Sequence, residues 1–232
     1  MTLGEFNASI RASRVVMEEC KILRATANLH SLEASLQFRT AALNAGTTYR
    51  ELYLCGVENG DYNLLLDDYS FLQYSYTMPD HYRLAYYPNP FAGMGAGFAA
   101  EVEEAVDDGV LSYEEYSQYV SEQPYDVRIP VIRFELHVGA CRASEHPAAH
   151  FHVGLHTENR WPVARKLTPR MFSLLIAKTY YSENWRVNGA MEVDGDGFVN
   201  AFDRKSVGEK NDCQLLGGEL FHETERQQLH FI

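Results

Sequence analysis

Cysteines and basic residues are scarce in this sequence of 232 residues. Its four cysteines are widely separated and form no CxxC pair, which favours buried thiols in a reducing compartment over a zinc knuckle or a disulfide framework. Lys and Arg total 20 against 32 Asp and Glu, so the formal net charge is −12. Such a surface repels phosphate backbones, and contact with nucleic acid would need a local basic patch. The best patch in the sequence is formed by Arg160, Arg165, Lys166 and Arg170.

Several common sequence signals are also missing. No apolar run approaches the roughly 20 residues that a membrane-spanning helix needs, and the N-terminal stretch MTLGEFNASIRASR lacks the apolar core of a signal peptide. We therefore expect a cytoplasmic protein without a membrane span. The sequence contains no GxxxxGK[ST] loop, GxGxxG turn or GxSxG elbow, which argues against chemistry driven by ATP or NAD.

What is present predicts an α+β fold. Apolar residues make up 46% of the chain, which is enough for a sizeable core. Residues 10–36 have apolar positions at helical spacing and predict one or two helices. From Thr47 the composition changes, and three Tyr- and Leu-rich segments follow. They predict an antiparallel meander with turns at Asn59-Gly60, Asp67-Asp68 and Pro79-Asp80. The three segments are TYRELYLCGV, DYNLLLDDYSFLQYSY and HYRLAYYPNP.

The second half of the chain predicts further helices and two further strands. Residues 99–108 and 112–122 are expected to form acidic helices, the second with a capping box of Ser112 and Glu115. The strands IPVIRFELHV and AHFHVGLH should pair antiparallel because they are close in the chain. Thr168 and Pro169 begin a helix. We expect one domain, with residues 1–46 as a helical segment and residues 47–232 as the α+β core, and with N- and C-terminal helices packed on the sheet.

Five of the nine histidines fall between Val127 and Lys166. Side chains of a strand alternate between its faces, so His150, His152 and His156 are predicted to share a face and could bind a divalent metal or act in acid/base chemistry. If the two strands pair, Glu135 comes near His150 or His152 and can orient an imidazole. The candidate catalytic residues are Arg133, Glu135, His146 and His150. A structural ion pair and solvent-facing histidines remain the alternative.

Known histidine motifs fit poorly, and a second candidate site is acidic. A histidine triad needs HxHxH, but its third position is Gly154 here. The segment Glu192–Asp203 has the spacing of a calcium loop, with Asp194, Asp196 and Asp203 as candidate ligands. Glu stands at its first position and Asp at its last, the reverse of the usual pattern. An acidic hairpin with tight glycine turns is the alternative for this segment.

The order of the motifs RLAYYPNP, IPVIRFE, HPAAHFHVG, WPV, TPRMFSLLIAKTYY and ETERQQLHFI resembles the bacterial family called domain of unknown function 2290. The resemblance runs from Thr47 to the C-terminus. The chain departs from the family pattern at Glu135, where Asp is usual, and at His152, where Thr or Leu is usual. The resemblance implies a bacterial or mobile-element accessory protein found near defence and toxin genes.

Three functions follow as expectations. The first is an accessory component of a bacterial defence or toxin-like system, with a protein partner from the same operon. The second is a histidine-centred hydrolase or nuclease-like effector, with a divalent metal as its candidate cofactor. The third is a sensor that binds a small ligand or an ion. Binding of nucleic acid through the bulk acidic surface is not expected.

Overall fold

The computed structural model describes residues 1–91, 109–110, 112, 115, 118, 129–143, 145–193 and 197–227, with only the backbone at 191–193 and 197–199. The described residues form seven α-helices and nine strands, which confirms the α+β class. Both expected acidic helices lie largely outside them, although Ser112 and Glu115 make the reciprocal hydrogen bonds of a capping box. None of the described helices could cross a membrane. All four cysteines are free thiols; Cys20 and Cys213 are buried, as expected, whereas Cys55 and Cys141 are half-buried.

Seven strands form one antiparallel meander in which each strand pairs with the next along the chain. Strands that follow one another in the chain tend to lie side by side, and they do so here even where β1–β2 and β4–β5 are joined by long segments. The strands are β1 (Leu23–Thr26), β2 (Leu64–Leu66), β3 (Phe71–Met78), β4 (His81–Tyr87), β5 (Ile132–His137), β6 (Ala149–Val153) and β7 (Trp161–Pro162). A separate hairpin contains β8 (Ala190–Val193) and β9 (Gly197–Asn200).

Helices lie on both faces of the meander, and further helices follow in the C-terminal part of the chain. They are α1 (Leu3–Glu19), α2 (Leu36–Leu43), α3 (Tyr49–Glu58), α4 (Pro169–Tyr180), α5 (Ser182–Asn188), α6 (Ala201–Asp212) and α7 (Glu223–Gln227), and Val138–Ala140 add a 3₁₀ turn. Helix α4 begins as predicted, with the Thr168 hydroxyl accepting a hydrogen bond from the Met171 N–H and Pro169 at the first position.

Two sequence predictions were wrong about secondary structure. The segment TYRELYLCGV forms helix α3 and not a strand. Thr48 and Glu51 make a capping box, and the buried residues Tyr49, Leu52, Tyr53 and Gly56 recur at helical spacing. The second error concerns the start of the sheet. The meander begins at Leu23 and not at Thr47: α1 ends at Glu19, and Lys21 turns the chain with a φ of 54°.

The two faces of the meander have different compositions. On β5, Phe134 and Leu136 point into a core that also contains residues of α1 and α4, such as Phe6 and Phe172. The opposite face is apolar only at one end, where α2 and α3 cover it. The remainder, called the polar face below, consists of Gln73, Ser75, Thr77, His81, Arg83, Arg133, Glu135, His137, His150 and His152.

Candidate functional site

Pairing of β5 with β6 assembles the candidate site at the centre of the polar face. The two strands are antiparallel, as predicted, and the register sets Glu135 opposite His150 and Arg133 opposite His152. Residues two apart on a strand share a face, so all four side chains lie together. The structure therefore brings together Arg133, Glu135 and His150 of the expected catalytic set with His152 of the expected metal ligands.

His150 and His152 face each other through their Nε2 atoms. These atoms lie 3.0 Å apart, and the two ring planes meet at 74°. His150 is fully buried, and His152 is only 7% exposed. One carboxylate oxygen of Glu135 lies within 4.8 Å of both ring nitrogens. Two nitrogens and one oxygen thus lie close together among largely buried side chains.

Backbone carbonyls fix the tautomer of both rings. The Nδ1 atom of His150 lies 2.8 Å from the carbonyl oxygen of Pro147, and the Nδ1 atom of His152 lies 3.2 Å from that of Thr157. A carbonyl oxygen only accepts hydrogen bonds, so each Nδ1 must carry a hydrogen and donate it. In a neutral imidazole the other nitrogen then holds a lone pair. The two Nε2 lone pairs then face each other at close range, an arrangement that a cation bound to both nitrogens would stabilise.

At neutral pH, the electrostatics of the cluster disfavour a proton as that cation. Burial lowers the pKa of His150 to about 4, and burial together with Arg133 lowers the pKa of His152 to about 4. Burial works to raise the pKa of the Glu135 carboxyl, but Arg83 and the two histidines outweigh it, so the net shift is downward. The site holds two neutral nitrogen acceptors beside an ionised carboxylate.

His146 lies at the edge of the same cluster. Its ring meets that of His150 edge to face, with centroids 4.9 Å apart. It is placed by a tight turn in which Arg142 and His146 exchange backbone hydrogen bonds. The Nδ1 atom of His146 is buried and has no hydrogen-bond partner among the residues described. Burial, helped by Arg160, lowers the pKa of His146.

Comparison with known proteins identifies the family. The family model described as "Uncharacterized conserved protein (DUF2290)" matches residues 16–232. The chain belongs to this family. The match begins within helix α1, well before Thr47, and includes Glu135, His146, His150 and His152. No curated protein and no solved structure matches the chain.

The structure separates His156 of this DUF2290 protein from the other two histidines. Strand β6 ends at Val153, and positive φ angles of 101° at Gly154 and 53° at His156 turn the chain away. The exposed His156 ring instead lies 3.0 Å from the carbonyl oxygen of Thr47 through its Nε2 atom. The prediction that His156 shares the strand face was wrong, because the strand does not extend that far.

Two further histidines lie in the cluster, although the sequence pattern did not predict them there. His81 and His137 are cross-strand neighbours whose rings are parallel within 3° at a centroid distance of 3.9 Å. The Nδ1 atom of His137 lies 3.9 Å from a Glu135 oxygen. A metal ion lies in the plane of each imidazole that binds it, so one ion cannot be bound by both of these stacked rings. Only the register of β4 with β5 reveals the pair.

The calcium-loop segment has a different environment. Strands β8 and β9 pair as a hairpin, which is the alternative that the sequence offered. Asp194 and Asp196 lie outside the described residues. Asp203 lies in the first turn of α6, with a carboxylate oxygen 2.7 Å from the Lys178 ammonium. The hairpin brings no described carboxylate near the histidine cluster, and calcium binding there stays a prediction.

Proposed function

We propose that this protein binds one divalent transition-metal ion through Glu135, His150 and His152 and acts as a metal-dependent hydrolase. One observation carries the proposal. The two Nε2 atoms lie 3.0 Å apart beside a carboxylate, and both Nδ1 atoms lie at hydrogen-bond distance from backbone carbonyl oxygens. Carbonyl partners of this kind orient the histidine ligands of metal ions. His152 departs from the family pattern, so the site is proposed for this chain.

The donor set suits zinc and similar ions. Zn–N bonds of about 2.0–2.1 Å at a tetrahedral angle separate two nitrogen ligands by roughly 3.3 Å, close to the distance between the two Nε2 atoms. Two histidines and one glutamate are a ligand set of catalytic zinc sites, in which the fourth position stays open for water. An ion in such a site supplies an acidified water at neutral pH.

The surrounding residues can support hydrolysis. Glu135 completes the ligand set, and its ion pair with Arg83, at 3.3 Å between Nε and Oε2, holds the carboxylate in place. His146 lies next to His150 with a free Nδ1 and can take a proton from water and return it to a leaving group. Arg133 lies opposite His152 and contributes positive charge.

Metal content and hydrolysis test the proposal together. Metal-free protein titrated with Zn²⁺ or Mn²⁺ should bind one equivalent tightly and should then hydrolyse a p-nitrophenyl carboxyl ester or bis(p-nitrophenyl) phosphate. The H150A/H152A variant should lose more than about 100-fold in metal affinity, since even outer-shell partners contribute about 10–100-fold. The matched control is H156A, which removes an exposed histidine outside the site and should bind metal normally.

Two outcomes would contradict this function. Metal affinity of H150A/H152A equal to that of H156A would show that the ion binds elsewhere. A metal-loaded wild type that hydrolyses neither substrate class would leave a metal site without catalysis. The unfolding temperature of each variant, measured in EDTA, shows whether a lost affinity reflects lost folding.

The expected accessory role stays a prediction. Membership of the family is compatible with a component of a bacterial defence or toxin-like system, and a partner from the same operon can coexist with an active site. Affinity purification of the tagged protein from its native host should then recover the product of a neighbouring gene. Recovery of the tagged protein alone would count against this role.

A further inference from the structure

We infer that the substrate of this site is a phosphate ester whose phosphoryl group is bound by Arg133, with Arg83 beside it. This inference rests on the proposed hydrolase function and names its substrate class. Two observations support it: both guanidinium groups lie on the polar face, and Arg133 has no hydrogen-bond or acidic partner among the described residues.

The register of the sheet places both arginines next to the candidate ligands. Arg83 on β4 is directly opposite Glu135, and Arg133 is directly opposite His152. Arg133 is also two residues from Glu135 on the same strand and thus on the same face. Two positive charges therefore flank the three ligand positions in a chain whose net charge is −12. An anionic substrate is the group that this local reversal of charge attracts.

Several arginines have a buried Nε, and Arg133 differs from the others in the hydrogen bonds of its guanidinium group. In the described part of the chain, four arginines bury an Nε that lacks a hydrogen-bond partner. Arg160, Arg165 and Arg170 each donate from Nη1 to a carbonyl or carboxylate oxygen. Among the described residues Arg133 has neither a hydrogen-bond partner nor an acidic partner. The buried Nε of Arg133 gains a partner when an anion binds, and the planar fork of the guanidinium matches two oxygens of a phosphate.

A cleft of about 770 Å³ opens beside these arginines. It runs between α2 and the polar face, and its wall includes Gln73, Ser75, Thr77, Arg83 and Arg133. Its volume is in the range of cavities that bind small molecules, and hydroxyl, amide and guanidinium donors suit the oxygens of a phosphorylated ligand. Arg133 lines this cleft and is the cross-strand neighbour of His152, so a phosphoryl group bound by Arg133 lies on the same sheet face as the proposed metal ligands.

The reaction is a balanced hydrolysis. The oxygen of a water molecule forms a bond to phosphorus, and the bond from phosphorus to the ester oxygen breaks. One proton of the water is transferred to the departing oxygen, which leaves as an alcohol. No oxidant or reductant is required. Arg133 holds the non-bridging oxygens, on which charge increases as the reaction proceeds.

Binding of inorganic phosphate tests Arg133 separately from catalysis. Isothermal titration of wild type, R133M and the control R11M, each with and without bound Zn²⁺, gives the affinities. Arg11 is exposed on α1, so R11M removes the same charge far from the site. We expect R133M to weaken phosphate binding by at least tenfold while R11M matches wild type. Hydrolysis of bis(p-nitrophenyl) phosphate should show a comparable loss of kcat/KM in R133M.

The outcomes distinguish this inference from the function on which it rests. If the protein binds metal and phosphate affinity is equal in R133M and R11M, the inference is overturned and the hydrolase proposal stands. If no metal binds but phosphate binding depends on Arg133, the hydrolase proposal fails and the anion site remains. R133K provides a second variant should R133M not fold. It keeps the charge but loses the fork, so its phosphate affinity should fall between those of wild type and R133M.

Discussion

At the scale of single residues, the buried histidine pair makes the fold sensitive to acid. Burial lowers the pKa of His150 and His152 to about 4, whereas an unfolded histidine titrates near 6.5. As the pH falls below about 6.5 the unfolded chain takes up protons first, so the folded state loses stability. The loss stops growing once the pH falls below the folded pKa. The charged groups that act on the pair are Glu135, Arg133, His146 and Arg160.

We expect the free energy of unfolding in EDTA to decrease by roughly 2–4 kcal/mol between pH 7 and pH 5 because of this pair. Urea titrations at several pH values measure the decrease. The H150Q/H152Q variant, which has no group titrating there, should show a clearly flatter dependence on pH. An equally steep dependence in that variant would assign the acid sensitivity to other residues.

At the scale of elements, a glycine sets how closely α3 packs on the sheet. A Cβ at Gly56 would lie 2.8 Å from the Phe71 ring and 2.9 Å from the Phe38 ring. Both rings are buried in the same core, where Phe71 also stacks on Tyr87 at 4.7 Å. Close packing leaves these rings little room to move. The glycine therefore fixes the position of α3 above the apolar end of this sheet face.

Replacing this glycine by alanine should destabilise the protein even though alanine favours helices. Overpacking costs about 1–3 kcal/mol, whereas the gain in helix propensity is about 1 kcal/mol. G56A should therefore lower the unfolding temperature. The matched control is G208A on α6, where no neighbouring atom lies within 4 Å of the added Cβ and only the propensity gain applies. Stabilisation of both variants by a similar amount would refute the close contact at Gly56.

At the scale of the whole molecule, helix α1 is packed into the main core. Phe6 and Ile10 are fully buried and belong to the same cluster as Phe134 of β5 and Phe172 of α4. The Phe6 ring lies 5.5 Å from that of Tyr82 in the centre of the sheet. The expected single domain therefore requires the N-terminal segment to unfold together with the rest.

F6A tests this unity. Replacing a buried phenylalanine by alanine lowers the free energy of unfolding by about 3–5 kcal/mol. In a cooperative unit this loss destabilises the whole protein and not α1 alone. Far-UV circular dichroism and the fluorescence of the two tryptophans, Trp161 and Trp185, should shift to the same lower midpoint. The control L3A removes a side chain on α1 that is 48% exposed and should change little. Separate midpoints for the two signals would show that α1 unfolds independently.

Local patterns in the sequence were enough for several parts of the fold and the site. The Thr168-Pro169 pair predicted where α4 begins, because capping depends on neighbouring residues. Pairing of β5 with β6 followed from their closeness in the chain, and strand alternation then placed Glu135 near His150. Helix α3 was missed because its Tyr- and Leu-rich composition favours strands, and its helical spacing of buried residues was the better signal.

The tertiary structure alone decided how the site is completed. His81 approaches Glu135 only through the register of β4 with β5, two strands separated by more than 40 residues of chain. The tautomers of His150 and His152 depend on carbonyl oxygens whose positions follow from the turns around them. His156 was excluded by a bend after Gly154. Sequence spacing determines which residues can share a strand face, but contacts between distant segments and the ends of strands follow from the packing of the whole chain.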